Sequence, residues 1–125
     1  MILDTNALSA FVDGDANVGE ILRKQPRAAI PVIVLGEYRY GIAGSRHRAA
    51  YEQWLVSHLP YFDVIPVTAD TTLAYAAIRV AVKKLGQPIP ANDAWIAASA
   101  MEHRMPVLSK DRHFDYVAQI QRVSW

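Results

Sequence analysis

The chain has 125 residues, 52% of them apolar and 20% charged, with no cysteine and a formal net charge of +1. Those figures fit one soluble domain over residues 1–125 with a core of its own. They exclude a disulfide framework or a thiolate metal site and give bulk charge no reason to attract a polyanion. The opening MILDTNALSAF has no basic leader and carries Asp4 early, unlike a secretory signal. The longest apolar stretch, Ala28 to Leu35, contains Pro31 and is too short to span a bilayer. The expected location is the cytoplasm, with no membrane partner.

Met1–Asp4 reads as a short buried strand. Leu8–Val12 suits a short helix closed near Gly14, and Ala16–Lys24 has helical spacing through Val18, Ile21 and Leu22 until Pro26 stops it. Ala28–Val32 predicts a second strand, followed by a helix from Ile33 to Ile42 that breaks at Gly44. Arg46–Leu59 places Tyr51, Trp54, Leu55 and Leu59 on one helical face, and Pro60 ends it. Asp63–Val67 predicts a third strand, at a sheet edge because Pro66 cannot donate to a ladder. Ala69–Leu85 is a long helix with Asp70 in its first turn and Lys83 and Lys84 in its last, as the helix dipole favours, and Gly86 closes it. Asn92–Arg104 is the next helix, Pro106–Ser109 a fourth strand and Gln121–Ser124 a fifth. Strands alternating with helices predict an α/β fold with a mostly parallel sheet. Functional residues in such sheets gather beyond the carboxyl ends of the strands, where strand order reverses.

Four acids stand at such places, and each has a purely structural rival. Asp4 ends the first strand in LDTN, where it would also cap the following helix. Glu37 is the only acid between Glu20 and Glu52 and lies among apolar neighbours; its rival role is a salt bridge to Arg39, Arg46 or Arg48. Asp93 follows Asn92 at a helix start, where either caps, and capping by Asn92 would free Asp93. Asp111 follows the fourth strand in VLSKDRHF, a setting in which turn aspartates are common. Taken together, four converging carboxylates make sense around a cation, and carboxylates with water suit Mg²⁺ or Mn²⁺. His47, His58, His103 and His113 have no metal-ligand spacing and are read as surface or packing residues.

The motifs MILDTNALSAF, GEYRYGI, NDAWIAASA and VLSKDRHFDYV, in this order, cover almost the whole chain. They resemble the PIN domain, and within it the VapC-type toxins of bacterial toxin–antitoxin systems. The resemblance implies a PIN-like three-layer sandwich with a five-stranded, mostly parallel sheet of order 3-2-1-4-5. It implies an endoribonuclease dependent on one or two Mg²⁺ or Mn²⁺ ions, with Asp4, Glu37, Asp93 and Asp111 at the positions of the family's catalytic, metal-holding acids. Thr5, Asn6 and Ser109 match the polar positions beside them; many relatives have threonine where this chain has Ser109. Asp115 is the alternative to Asp111 as fourth acid. The resemblance further implies a homodimer, a VapB-like antitoxin whose tail crosses the cleft, and a tRNA or rRNA substrate.

Candidate RNA contacts are Arg39, Arg46, Arg48, Lys83, Lys84 and Arg112, for each of which a solvated surface charge is the favoured rival. Tyr40 and Trp95 are candidates for base stacking, with core packing the rival. Tyr38, Tyr40, Tyr51 and Trp54 together suggest an aromatic interface patch, with simple core packing an equal rival. Two other readings keep the fold class: a binding module with a vestigial site, and a receiver-type phosphotransfer domain. The second lacks the paired acids at the first strand and a phosphate-accepting aspartate directly after the third.

Overall fold

A computed structural model describes all residues 1–125. Five strands, β1 (Ile2–Leu3), β2 (Ala29–Pro31), β3 (Asp63–Ile65), β4 (Val107–Leu108) and β5 (Arg122–Val123), form one sheet of order β3-β2-β1-β4-β5. Every pairing is parallel. Six helices flank it: α1 (Thr5–Val12), α2 (Ala16–Arg23), α3 (Val32–Ile42), α4 (Arg48–His58), α5 (Ala69–Lys84) and α6 (Ala91–His103). Two 3-10 segments, Leu59–Tyr61 and Arg112–Tyr116, complete the connections. The strands are apolar on both faces because parallel sheets are covered on both sides. Ile2, Leu3, Ile30, Val107 and Leu108 are all completely buried.

The element order is the expected one, and the differences are local. The first helix begins at Thr5, three residues before the predicted start, because the Asp4 carboxylate accepts the Thr5 amide at 2.8 Å and caps it. β2 passes into α3 with no intervening loop: Pro31 is both the last strand residue and the cap position, its missing N–H costing nothing there. The third strand stops at Ile65, before Pro66, and lies at the sheet edge. Helix α6 runs from Ala91 to His103 and is closed by Arg104, which adopts a left-handed φ of 53° at the cap position. The proposed aromatic patch does not form as expected. Tyr38 is buried, Tyr51 and Trp54 pack on the core, and Tyr40 alone of the four is free, at 86% exposed.

Helices α5 and α6 form a tightly packed pair. The rings of Tyr75 and Trp95 stack with centroids 3.8 Å apart, so Trp95 is a packing residue. The completely buried Thr71 hydroxyl accepts the Thr68 amide at 2.9 Å and donates to the Glu102 carboxylate at 3.0 Å, tying the start of α5 to α6. Thr71→Val keeps the volume and removes both bonds. It is expected to lower stability by about 1–3 kcal/mol, measured by urea unfolding; an unchanged midpoint would show that the tie contributes nothing.

Candidate metal centre

β1 lies at the middle of the sheet, with the chain running outward first through β2 and β3 and then through β4 and β5. Strand order therefore reverses at β1, and the crevice beyond the carboxyl ends of β1 and β4 is where a ligand site is expected. Leu3 pairs with Leu108, so the residues that follow them, Asp4 and Ser109, emerge side by side. Asp4 is only 4% exposed. Its Oδ1 accepts the Thr5 amide, and its Oδ2 accepts the Ser109 hydroxyl at 2.6 Å and the Asn6 side-chain amide at 2.8 Å.

Ser109 is completely buried and its hydroxyl is fully used. It donates to Asp4 and accepts from Asn6 Nδ2 at 3.2 Å and from the Asp111 amide at 2.9 Å. Asn6 in turn accepts the Lys110 amide at 3.2 Å, so the end of β4 and the start of α1 are locked together.

Glu37 arrives from α3. Its Oε1 accepts the Thr5 hydroxyl at 2.8 Å and its Oε2 accepts the Asn92 side-chain amide at 3.3 Å. The salt bridge weighed against a site role is not made: Arg39 pairs with Glu52 at 2.7 Å instead. Asn92 does not cap α6, whose cap position is Pro90 without a side-chain bond; Asn92 spans to Glu37. Asp93, in the first turn of α6, faces His113, with Oδ2 and Nδ1 at 3.0 Å. Asp111 caps the 3-10 segment through the His113 amide at 2.9 Å and also meets His113 Nδ1 at 3.0 Å.

Burial pushes the Asp4 and Asp93 carboxyls above their ordinary range. For Asp4 the bonds from Ser109 and Thr5 act against this, and the charges of Asp93 and Glu37 add to it. For Asp93 the His113 bond opposes, while Asp111 and Glu37 add. The His113 imidazole is raised, chiefly by its bond to Asp93. Of the chain's ion pairs, none puts a lysine or arginine on Asp4, Glu37, Asp93 or Asp111. Carboxylates crowded in this way, with no lysine or arginine in an ion pair with them, are a donor set that fits a divalent metal ion.

The family pattern described as the PIN domain matches residues 1–120. The chain belongs to the PIN-domain family. It is 29% identical to ribonuclease VapC2 of Rickettsia felis, over 99% of this chain and 96% of that protein. It is 28% identical to toxin FitB of Neisseria gonorrhoeae, over 96% of this chain and 94% of that one. The solved structure of VapBC2 from R. felis bound to a promoter DNA fragment superposes with a TM-score of 0.86, at 26% identity, covering 99% of this chain and 97% of the other.

In this PIN domain the two candidates for the fourth acid have different surroundings. Asp115 makes a bidentate pair with Arg122, at 2.8 and 2.9 Å, which holds its carboxyl below the ordinary range. Asp111 instead shares His113 with Asp93, and ligand atoms of the three lie within 4.8 Å of one another. The expectation that His113 is merely a surface or packing residue is therefore corrected. Spacing along the chain missed it because the residues it joins come from α6 and the β4–β5 connection. The VLSKDRHF motif did contain it, two residues beyond Asp111. His58, His103 and His47 stay with local partners: Trp54, Glu102 and Arg46 respectively. The six basic candidates for RNA contact are all exposed. Arg39 is committed to Glu52, and Lys83 lines a separate cavity of about 440 Å³ with Arg79, Pro88 and Ile89.

The shifts set the pH dependence of the metal-free protein. Raised carboxyls bind protons more tightly folded than unfolded, so the folded state loses ground as pH rises through the carboxylate range and above it. A raised His113 adds stability that is present below its ordinary value of 6.5 and fades as pH rises through the higher folded value. Asp115 acts oppositely toward the acid end, and the Met1 amine, lowered by burial, acts oppositely below its ordinary value of 8.0. The melting-temperature advantage of the wild type over His113→Asn in chelator is therefore expected to shrink as pH rises above about 6.5. An advantage that grows with pH would contradict this.

Proposed function

We propose that the protein is a VapC-type toxin: an endoribonuclease dependent on Mg²⁺ or Mn²⁺, one ion or two, held inactive by a VapB-like antitoxin in the cytoplasm. The observation that carries this reading is the convergence of four carboxylates, without lysine or arginine partners, at the point where strand order reverses. The names of the relatives, ribonuclease VapC2 and toxin FitB, support the same activity and role.

In this mechanism Asp4, Asp93 and Asp111 hold the ion, with Glu37 beside them. A divalent ion supplies Lewis acidity at the scissile phosphate and lowers the pKa of the attacking water. Ser109, Asn6 and the Thr5 amide fix Asp4 in one orientation, so that its carboxylate need not reorganise during the reaction. Thr5 and Asn92 each take one oxygen of Glu37 and leave it lone pairs with which to orient water or accept its proton. The unpaired amides at the start of α6 add positive potential for a phosphate beside Asp93. The products would carry 5′-phosphate and 3′-hydroxyl ends.

A groove of about 590 Å³ opens beside Glu37, lined by Thr5, Val32, Gly36, Tyr40 and Asn92. It is assigned to the antitoxin tail, whose basic side chain would reach the acids. In the free toxin the exposed Tyr40 would stack on a base of a tRNA or rRNA substrate. Arg46, Arg48 and Arg112 would hold phosphates. The apolar side chains of Leu73 and Val80, two turns apart on α5 and both exposed, support a homodimer.

Antitoxin-free protein with Mg²⁺ or Mn²⁺ is expected to cut total cellular RNA at discrete sites, and EDTA to stop it. Asp4→Asn or Asp93→Asn is expected to reduce cleavage by roughly a hundredfold or more, with the far-ultraviolet circular dichroism unchanged. Cleavage that survives in both variants would sink the assignment of these acids. Ser109→Ala should weaken metal binding by about 10- to 100-fold, whereas Ser109→Thr, which keeps the hydroxyl, should stay near the parent in an isothermal titration.

A further inference from the structure

We propose that His113 is itself a metal ligand, and that with Asp93 and Asp111 it forms a mixed nitrogen–oxygen position that makes this centre prefer Mn²⁺ to Mg²⁺. The inference rests on the reading of the site as a metal centre and adds a residue that the carboxylate pattern does not contain.

The geometry is that of neighbouring ligands around one small ion. His113 Nδ1 lies 3.0 Å from Asp93 Oδ2 and 3.0 Å from Asp111 Oδ1, and the three groups' ligand atoms fall within 4.8 Å of one another. Atoms at right angles around an octahedral ion, each about 2.1 Å from it, are about 3 Å apart. An ion can therefore enter this triangle with small adjustments of side chains already in place. The imidazole is also held where it is. The His113 amide donates to Asp111 Oδ1, and the next residue, Phe114, is completely buried, anchoring the 3-10 segment. The ring itself is 42% exposed, which leaves room for water to complete the coordination.

The ligand type then sets the preference. Mg²⁺ selects oxygen donors and gives up its water reluctantly. Imidazole is the softer ligand and suits transition metals. Replacing one oxygen by Nδ1 therefore weakens the site for Mg²⁺ more than for Mn²⁺. Asp4 and Glu37 present only oxygen, so the asymmetry is confined to the Asp93–Asp111 side.

The test uses the full chain, stripped of metal and held near pH 8, where a histidine can coordinate as the neutral ring. Mn²⁺ is added and followed by continuous-wave and pulsed electron paramagnetic resonance, with Mg²⁺ affinity obtained by competition. The wild type is expected to show nitrogen coupling to bound Mn²⁺. In His113→Ala and His113→Gln that coupling should vanish and Mn²⁺ affinity should fall roughly tenfold or more, while Mg²⁺ affinity changes by less than about threefold. Circular dichroism checks that both variants are folded. Bound Mn²⁺ without nitrogen coupling overturns the proposal. So does equal or tighter Mn²⁺ binding by His113→Ala, which would make the ring an internal counter-cation that the ion displaces. If the wild type and Asp93→Asn alike bind no Mn²⁺, the metal-centre reading itself fails, which is a different result from loss of the histidine ligand.

Discussion

The pairing of β1 with β4 is the constraint on which the site depends. It fixes Leu3 opposite Leu108, and so forces a carboxylate and a hydroxyl into contact at 2.6 Å one residue later. A carboxylate that is 4% exposed costs several kcal/mol unless its oxygens are occupied. Asp4 meets that demand with three donors: the Thr5 backbone amide, the Asn6 side-chain amide from the same first turn of α1, and the Ser109 hydroxyl. The bonds lower its pKa but do not cancel burial, which leaves the carboxyl raised. A carboxylate kept in this condition favours any cation that can reach it.

The remaining acids attach to Asp4 through two different linkers. On one side Thr5 serves twice, giving its amide to Asp4 and its hydroxyl to Glu37, so the first residue of α1 sets the separation between two carboxylates. On the other side Ser109 accepts the Asp111 amide while donating to Asp4, and His113 then ties Asp111 to Asp93. The two halves of the cleft thus differ chemically. Neutral groups link Asp4 to Glu37, whereas an ionisable ring links Asp93 to Asp111. Alanine at Ser109 would disturb Asp4 and the Asp111 turn together, because one hydroxyl serves both, whereas alanine at Thr5 would free Glu37 alone, because the backbone amide on Asp4 remains.

The sequence displayed the fold and the acids well because both are local signals. Hydrophobic runs bounded by proline and glycine mark strands and helices, and an acid directly after a buried strand is visible without coordinates. Where strands ended was less visible: DVIPV reads as one run, but pairing ceases at Ile65 because the ladder cannot use Pro66. The uses of Asn92, His113 and Asp115 were hidden for another reason. Each depends on which distant residue stands opposite, Glu37 for Asn92, Asp93 for His113 and Arg122 for Asp115, and these separations are 55, 20 and 7 residues. Capping statistics gave Asn92 a plausible local role, but Pro90 takes the cap position and places Asn92 inside the first turn, past the position from which a side chain caps.

The start of α6 shows how opposed terms are balanced at Asp93. Burial and the neighbouring acids disfavour its charge. The helix dipole favours it, since Asp93 lies in the first turn, where the amides have no carbonyl partners within the helix. A side-chain cap would have consumed part of that field; with Pro90 at the cap position it is left directed at the cleft. The helix potential is also fixed, so unlike a lysine it cannot swing in to neutralise the acids and block the position a cation would take. A fixed positive field at Asp93, with no lysine or arginine paired to it, lets the acids crowd together and still face a phosphate.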